Sequence, residues 1–342
     1  MPDDAGQRRA ANGDRFVVRG YERGDEAAIL DLFARSFPHA PRSLAHWRWK
    51  FQDDPAGREH ISLAFDDERR LVGHYAGYPI AFVDGDRDVV AHQVGDTMTD
   101  VAVRHVGRGP SSILGRTALH FYEHFCDGRV AFNYGFNVAN IQRFSLKFLR
   151  SDRVEPVAYH VRDLTTHPLR PLSRFGPRLR GWTLELVREV GEEFDDLFRR
   201  VRGDYGLLAR RDARYLRWRY LDCPDVAYIV VAIRKWGRLV GWSVFRLREN
   251  RLAWGDALFD PKHLGAVEVL LRHVVPRFPV DAVEGWFAPR PAFLSAQLAR
   301  LGFATPREPQ DLSLMCVPFV MSGATEIMRQ RLFYTWGDSD LF

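Results

Sequence analysis

The sequence predicts a mixed α/β fold built as two tandem units, the second a degenerate copy of the first. Three observations lead there: a length of 342 residues, strand-like runs alternating with apolar patterns of helical period, and a set of collinear internal matches. At about 150 residues per domain, a chain of this length forms two cores rather than one. The alternation of strands and helices makes each core a mixed layer.

The internal matches set the units. Asp31-Leu32-Phe33-x-Arg35 recurs as Asp196-Leu197-Phe198-x-Arg200, an offset of 165. His46-Trp47-Arg48-Trp49-Lys50, running on to Asp53-Asp54-Pro55, is echoed by Tyr215-Leu216-Arg217-Trp218-Arg219 and Asp222-Cys223-Pro224 at an offset of 169. Arg70-Leu71-Val72-Gly73 returns as Arg238-Leu239-Val240-Gly241 at 168. Three matches in order at nearly constant spacing point to duplication. Each unit then reads strand, helix or helices, hairpin, strand, helix, strand, helix.

In chain order, residues 1–14 form a polar, flexible tail and 15–164 the first unit. Residues 165–181, with Pro168, Pro171 and Pro177 among arginines and no clear period, form a linker. Residues 182–342 form the second unit.

Composition narrows the class. At 46% hydrophobic and 27% charged the chain is an ordinary globular one. No stretch approaches the roughly 20 apolar residues of a membrane helix, and the first residues lack a signal-peptide core, so a cytoplasmic protein without membrane partners is expected. Cys126, Cys223 and Cys316 are isolated, which indicates neither a disulfide framework nor a zinc ribbon. The net charge of +5 comes from 49 basic residues dispersed among 44 acidic ones. That balance suits a phosphate-rich ligand without calling for nucleic acid.

One junction carries chemistry. Thr97 to Val103 reads as a strand and runs into Arg104-His105-Val106-Gly107-Arg108-Gly109-Pro110-Ser111-Ser112, after which Leu114, Ala118, Phe121 and Phe125 mark a helix. Glycines let backbone N–H groups converge, and a helix start offers unpaired donors with a favourable dipole, so this junction suits a pyrophosphate. Arg104 and Arg108 add charge. The second unit has Asp260-Pro261-Lys262-His263-Leu264-Gly265 there, with neither arginine nor glycine pair.

Residues 104–109 fit the Arg-x-x-Gly-x-Gly signature of the GNAT (GCN5-related N-acetyltransferase) superfamily. A register two residues on puts Val106 at the arginine position and Ser111 at the last glycine. With Leu71-Val72-Gly73-His74-Tyr75, Asn133-Tyr134-Gly135-Phe136-Asn137, Asn140 and Leu301-Gly302-Phe303, the whole chain resembles long, duplicated bacterial members of that superfamily. The resemblance implies an acyl-CoA co-substrate, acetyl-CoA first among them. Pantetheine would pair with the strand edge at Thr99, Val101, Ala102 and Val103. The pyrophosphate would rest on Arg104, Gly107, Arg108, Gly109 and Ser111, near Asn140. The tyrosine that the superfamily often carries after the asparagine is absent, Phe144, Lys147 and Phe148 standing there instead, and Tyr134 is the substitute acid.

Acylation requires a neutral amine, because an alkyl ammonium with pKa near 10 does not attack a thioester. Asp96 and Asp100 alternate onto one strand face, and Asp96, nearer the thioester end, is the candidate base. Trp47 and Trp49 are candidates for an acceptor pocket, although Trp218, the repeat of Trp49, favours packing. The acceptor expected is a small-molecule primary amine. His120-Phe121-Tyr122-Glu123-His124 matches an inverted zincin motif but is better read as a polar helix face, and no metal is expected. Gly337-Asp338-Ser339 has no downstream histidine to complete a triad. The competing readings are a Fem-like aminoacyl-tRNA-dependent transferase and a non-catalytic acyl-CoA-binding scaffold.

Overall fold

The computed structural model describes residues 16–38, 42–57, 59–173 and 176–342; the expected tail lies outside the described residues. The first half supplies strands β1 (Phe16–Gly20), β2 (Ile61–Asp66), β3 (Leu71–Asp84), β4 (Arg87–Thr99), β5 (Phe132–Asn137), β6 (Asp152–Pro156) and β7 (Tyr159–Asp163). Its helices are α1 (Glu26–Ser36), α2 (Leu44–Phe51), α3 (Ile113–Phe121) and α4 (Ala139–Phe148). The expected linker holds one short helix, α5 (Gly176–Leu179). The second half contributes β8 (Trp182–Leu186), β9 (Leu207–Ala209), β10 (Ile229–Lys235), β11 (Arg238–Arg248), β12 (Arg251–Phe259), β13 (Ala282–Trp286), β14 (Ser313–Pro318) and β15 (Leu332–Phe333). Its helices are α6 (Glu192–Tyr205), α7 (Ala213–Leu216), α8 (Gly265–Val274), α9 (Ala292–Arg300) and α10 (Ala324–Arg331).

Local chemistry sets the helix starts. Ser43, Ser112 and Asp212 each accept a backbone N–H three residues on, from His46, Gly115 and Tyr215 at 3.0, 3.1 and 2.9 Å. The apolar stripe of α1, Ile29, Leu32 and Phe33, is buried. Strand β3 is buried along most of its length because both its faces are covered. A Cβ at Gly73 would come within 2.5 Å of Ile113 on α3, so glycine sets that helix's close approach. From the opposite face Tyr78 meets Trp218 of the second half, ring centroids 6.3 Å apart.

Two sheets result, and neither respects the expected boundary at 165–181. The first runs β1-β2-β3-β4-β5-β14-β6, the second β7-β13-β12-β11-β10-β8. Strand β14, from the second half, lies between β5 and β6, with Ser313 opposite Asn137 and Pro318 opposite Phe132. In return β7, from the first half, pairs antiparallel with β13, Tyr159 opposite Trp286. The halves have exchanged their closing strands. A further link comes from the longer β3–β4 hairpin, whose tip pairs with β9, Phe82 opposite Ala209. One continuous apolar cluster, holding Trp47, Phe82 and Tyr134 with Trp218, Trp254 and Trp286, serves both halves.

The duplication is visible atom by atom. Arg35 binds Asp100 and donates to the Leu71 carbonyl at 3.2 Å; Arg200 binds Asp260 at 3.2 Å and donates to the Leu239 carbonyl at 2.7 Å. Asp100 N–H donates to Val72 O at 2.9 Å, and Asp260 N–H to Val240 O at 2.8 Å. Trp49 and Trp218 stack with centroids 5.6 Å apart and exchange hydrogen bonds, each indole N–H reaching the other's carbonyl, at 2.6 and 2.8 Å. Such reciprocity places a local twofold relation between the two tryptophans.

Candidate active site

The first-half sheet opens where β4 and β5 part. These parallel strands pair only at His92 with Asn133 and Gln93 with Tyr134. Beyond that point β4 carries a bulge: Ala76 of β3 faces Gly95 and His74 faces Met98, which leaves one extra residue on β4. Asp96 sits in it with φ of 50°, a conformation Asp tolerates better than most residues. His74 Nδ1 contacts the Asp96 carbonyl at 2.7 Å and ties the bulge to β3.

The bulge breaks strand alternation, so Asp96 and Asp100 do not share a site. Asp100 is held by Arg35 and Arg70, and its side chain caps the turn Val101–Val103 by accepting from Ala102 N at 3.0 Å. The strand therefore ends at Thr99, not at Val103. Val101, Ala102 and Val103 form a single 3-10 turn, and Val101 is exposed, so the extended edge expected for pantetheine is absent at those three positions.

Beyond the turn, Arg104 folds back to donate to the Thr99 carbonyl at 3.1 Å. Gly107 and Gly109 both have positive φ, 71° and 55°. At Gly107 a Cβ would lie 2.3 Å from Ser111 O, and at Gly109 one would lie 2.9 Å from the Phe148 ring of α4. Both positions need glycine on space as well as dihedral angle. The N–H groups of Ser111 and Ser112 close on Arg108 O and Gly109 O, each at 3.1 Å, and the Ser111 hydroxyl donates to Arg108 O at 2.9 Å. Asn140, at the start of α4, is exposed and accepts from Arg143 at 2.5 Å. The counterpart connection, from Asp260 to α8, is shorter by eight residues.

On the opposite side of β4 lies a cavity of about 310 Å³ between the halves. Its charged floor is made by Arg42, Lys50 and Asp340, which converge on Asp96 beneath it; Asp96 itself does not line the cavity. Asp96 is buried and paired with Arg42 and with Lys50 at 3.2 Å; Lys50 reaches Asp340 at 3.7 Å; Asp340 accepts from the Asp96 N–H at 3.3 Å. Gly95 makes room for this, since a Cβ there would come within 2.5 Å of Asp340 Oδ2. Burial alone would raise the Asp96 pKa, but Arg42 and Lys50 outweigh it and hold the carboxyl well below the usual range. Burial shifts Lys50 downward against the pull of Asp96. His46, 3.2 Å from Asp225, is pushed down to about 4, first by burial and then by Arg42 and Lys50.

The walls are Trp49 and Tyr78 from the first half, Trp218, Arg219, Tyr228 and Arg246 from the second, and the segment Asp340–Phe342. Trp49 thus both packs and lines the cavity. Trp47 does not line it: the ring is 1% exposed and sits between Tyr21 and Phe51, centroids 5.4 and 5.7 Å away. Tyr134 is buried against Phe82 and Phe132, and burial pushes its pKa well above 10. A phenol that holds its proton so firmly is a weak donor to a thiolate, and a carboxylate flanked by two cations, as Asp96 is, is a weak base.

Reading the sequence alone passed over Arg42, Lys50, Arg219 and Asp340. A signal existed: Arg42 and Lys50 become Arg211 and Arg219 at the offset of 169, while Gly95-Asp96 and Asp100 become Gly255-Asp256 and Asp260 at 160. In the second half Asp256 is fully buried by Arg211, Tyr220 and Thr335, at 3.0, 2.7 and 2.9 Å, and the Phe342 ring fills the space beside Gly255. The duplicated position is therefore a closed core. Among the described residues no cluster of His, Cys, Asp and Glu is placed to hold a metal, and no helix is long and apolar enough to cross a membrane.

The fold is similar to that of solved GCN5-related N-acetyltransferases and N-myristoyltransferases. A probable N-acyltransferase from Enterococcus faecalis superposes with a TM-score of 0.64 at 12% identity, over 92% of this chain and 75% of that one. A GCN5-related N-acetyltransferase from Anabaena variabilis gives 0.60 at 12%, over 88% and 72%. The N-myristoyltransferase of Saccharomyces cerevisiae, with bound myristoyl-CoA, gives 0.59 at 8%, over 92% and 86%. No family model matches the chain, and no curated protein does.

Proposed function

We propose that this protein is an acyl-CoA-dependent N-acyltransferase that acylates a primary amine of a small molecule by direct attack on the thioester, with acetyl-CoA the first donor to test. The observation that carries the reading is the parting of β4 and β5 after Gln93 and Tyr134, beside the charged floor of the inter-half cavity. A donor entering from the side of the glycine loop and α4 would meet an acceptor entering from the cavity. Fixing two reactants in this way is the main source of acceleration in a direct transfer.

In this mechanism the reacting amine sits over Gly95. Asp340, which lines the cavity, takes the proton, while Asp96 keeps Lys50 and Arg42 in place. The two cations disfavour an ammonium and so raise the share of free amine. Tyr134 and Asp96 need not transfer protons. The shorter connection before α8 supports a single donor site, in the first half, and the filled space at Gly255 a single acceptor site, over Gly95 of the first half.

Titration calorimetry with acetyl-CoA and longer acyl-CoAs tests the reading. One of them should bind with one-to-one stoichiometry, and Gly109→Asp, which adds bulk against Phe148 and a negative charge, should abolish binding in a folded protein. Asp340→Asn should leave that affinity unchanged and slow acylation most at low pH, where little amine is free. Unaltered affinity in Gly109→Asp would move the donor site elsewhere.

A further inference from the structure

Two of the cations that line the cavity make no ion pair among the described residues. Arg42 is matched by Asp96, and Lys50 by Asp96 and Asp340. Asp225 is engaged on the far wall by the Ser43 hydroxyl at 3.1 Å and by His46 at 3.2 Å. Two guanidinium groups remain. Arg219 is only 5% exposed, and its hydrogen bonds go to neutral oxygens: Gly337 O at 3.3 Å, Tyr228 Oη at 3.3 Å and Ser339 O at 3.0 Å. Of its five N–H donors, these contacts use three. Arg246 lines the same cavity and makes no ion pair among the described residues.

A buried cation without an anion is costly, and proteins pair buried charges or reserve them for a ligand. A guanidinium does not escape by losing its proton. Arg219 also lies over the rings of Tyr220, Trp49 and Tyr228, at 5.3, 5.7 and 6.0 Å, but meets no carboxylate at ion-pair distance on the cavity wall. Its repeat counterpart Lys50 meets two carboxylates. We propose that the acceptor carries an anionic group, carboxylate or phosphate, and that Arg219 and Arg246 bind it while the amine end lies toward Asp340. The proposal rests on the acyltransferase reading for the word acceptor, and on the cavity alone for the anion. A volume of about 310 Å³ suits a small zwitterion rather than a polymer.

The experiment is calorimetry without acyl-CoA, using two pairs that differ by the anionic group: 4-aminobutyrate against butylamine, and O-phosphoethanolamine against ethanolamine. At least one anionic member should bind about tenfold or more tightly than its partner, as a charge-assisted pair would give. The preferred pair distinguishes carboxylate from phosphate. Arg246→Ala, which deletes a side chain that makes no hydrogen bond or ion pair among the described residues, should remove most of the preference. Arg219→Gln should do the same, and Arg219→Lys should restore part of it. Equal affinity within both pairs, absence of binding into the millimolar range, or an unchanged preference in Arg246→Ala would overturn the proposal. Acyl-CoA titrated into the same samples separates the two ideas. Anion preference without acyl-CoA binding removes the transferase reading and keeps the anion site, and the reverse removes the anion site alone.

Discussion

Asp96 has a structural duty that competes with the catalytic one its position on the strand suggested. Its carboxylate neutralises two cations that are themselves largely withdrawn from water. Removing one partner of a buried pair costs about 3–5 kcal/mol, because the charge left behind has no water to replace it. Asp96→Asn should therefore lower urea stability by about that amount at pH 7. The sign with pH follows from the depressed carboxyl: Asp96 stabilises fully above the ordinary carboxylate pKa near 3.9, and its contribution fades as pH falls below it. The difference between variant and wild type should then hold from pH 7 to about 4 and shrink below. Both proteins lose stability earlier, between about pH 6.5 and 4, since burial keeps His74 down to about 4 and His92 to about 3 while the unfolded chain binds those protons. A variant as stable as wild type but slow in acylation would return Asp96 to the role of base. The carboxylate itself was legible in the sequence, next to a glycine and ahead of the loop. Its partners were not: Arg42 and Asp340 lie 54 and 244 positions away, and only the folded sheet brings them to one bulge.

At the level of elements, periodicity read correctly where packing follows it and failed where a side chain ends an element. The helix α3 and the glycine turn before it were visible as an apolar stripe and a Gly-x-Gly. Thr97 to Val103 has the β-branched alternation of a strand, yet Asp100 accepts from Ala102 N–H and stops it, local capping that outcompetes propensity. The Arg-Trp segments, singled out as a repeat, became something spacing alone does not state: α2 and the turn after α7 meet through Trp49 and Trp218. Because each indole N–H serves the other's carbonyl, the two bonds are one unit. Trp49→Phe and Trp218→Phe should each destabilise by about 1–3 kcal/mol through an unpaired buried carbonyl. The double variant should cost less than the sum by about 1 kcal/mol. Urea unfolding of the four proteins measures the cycle, and strict additivity would mean that the symmetry is geometric without energetic coupling.

For the molecule as a whole, two tandem units were readable, but not that they share strands. Offsets between matching segments identify which pieces are alike, and they are silent on which sheet a piece joins. Here β14 completes the first sheet and β7 the second, so a cut between residues 164 and 165 falls between elements yet takes β14, β9 and β15 from the first sheet and β7 from the second. A fragment of residues 1–164 would lack β14, the strand between β5 and β6, and expose two long rows of unpaired backbone groups with the apolar faces of Tyr134 and Phe136 beside them. Open sheet edges of this kind pair with whatever is near. The expectation is that 1–164 or 165–342 expressed alone aggregates or unfolds without cooperativity, whereas the two expressed together form a one-to-one complex that unfolds in a single transition. Size-exclusion chromatography with circular dichroism decides it. If 1–164 alone were monomeric and melted cooperatively, the exchanged strands would be dispensable and the halves would be separate domains. A complex that keeps the inter-half cavity should also keep any acyl-CoA and anion binding of the intact chain, since the cavity's walls come from both fragments and its charged floor closes only when Asp340 reaches Lys50 and Asp96.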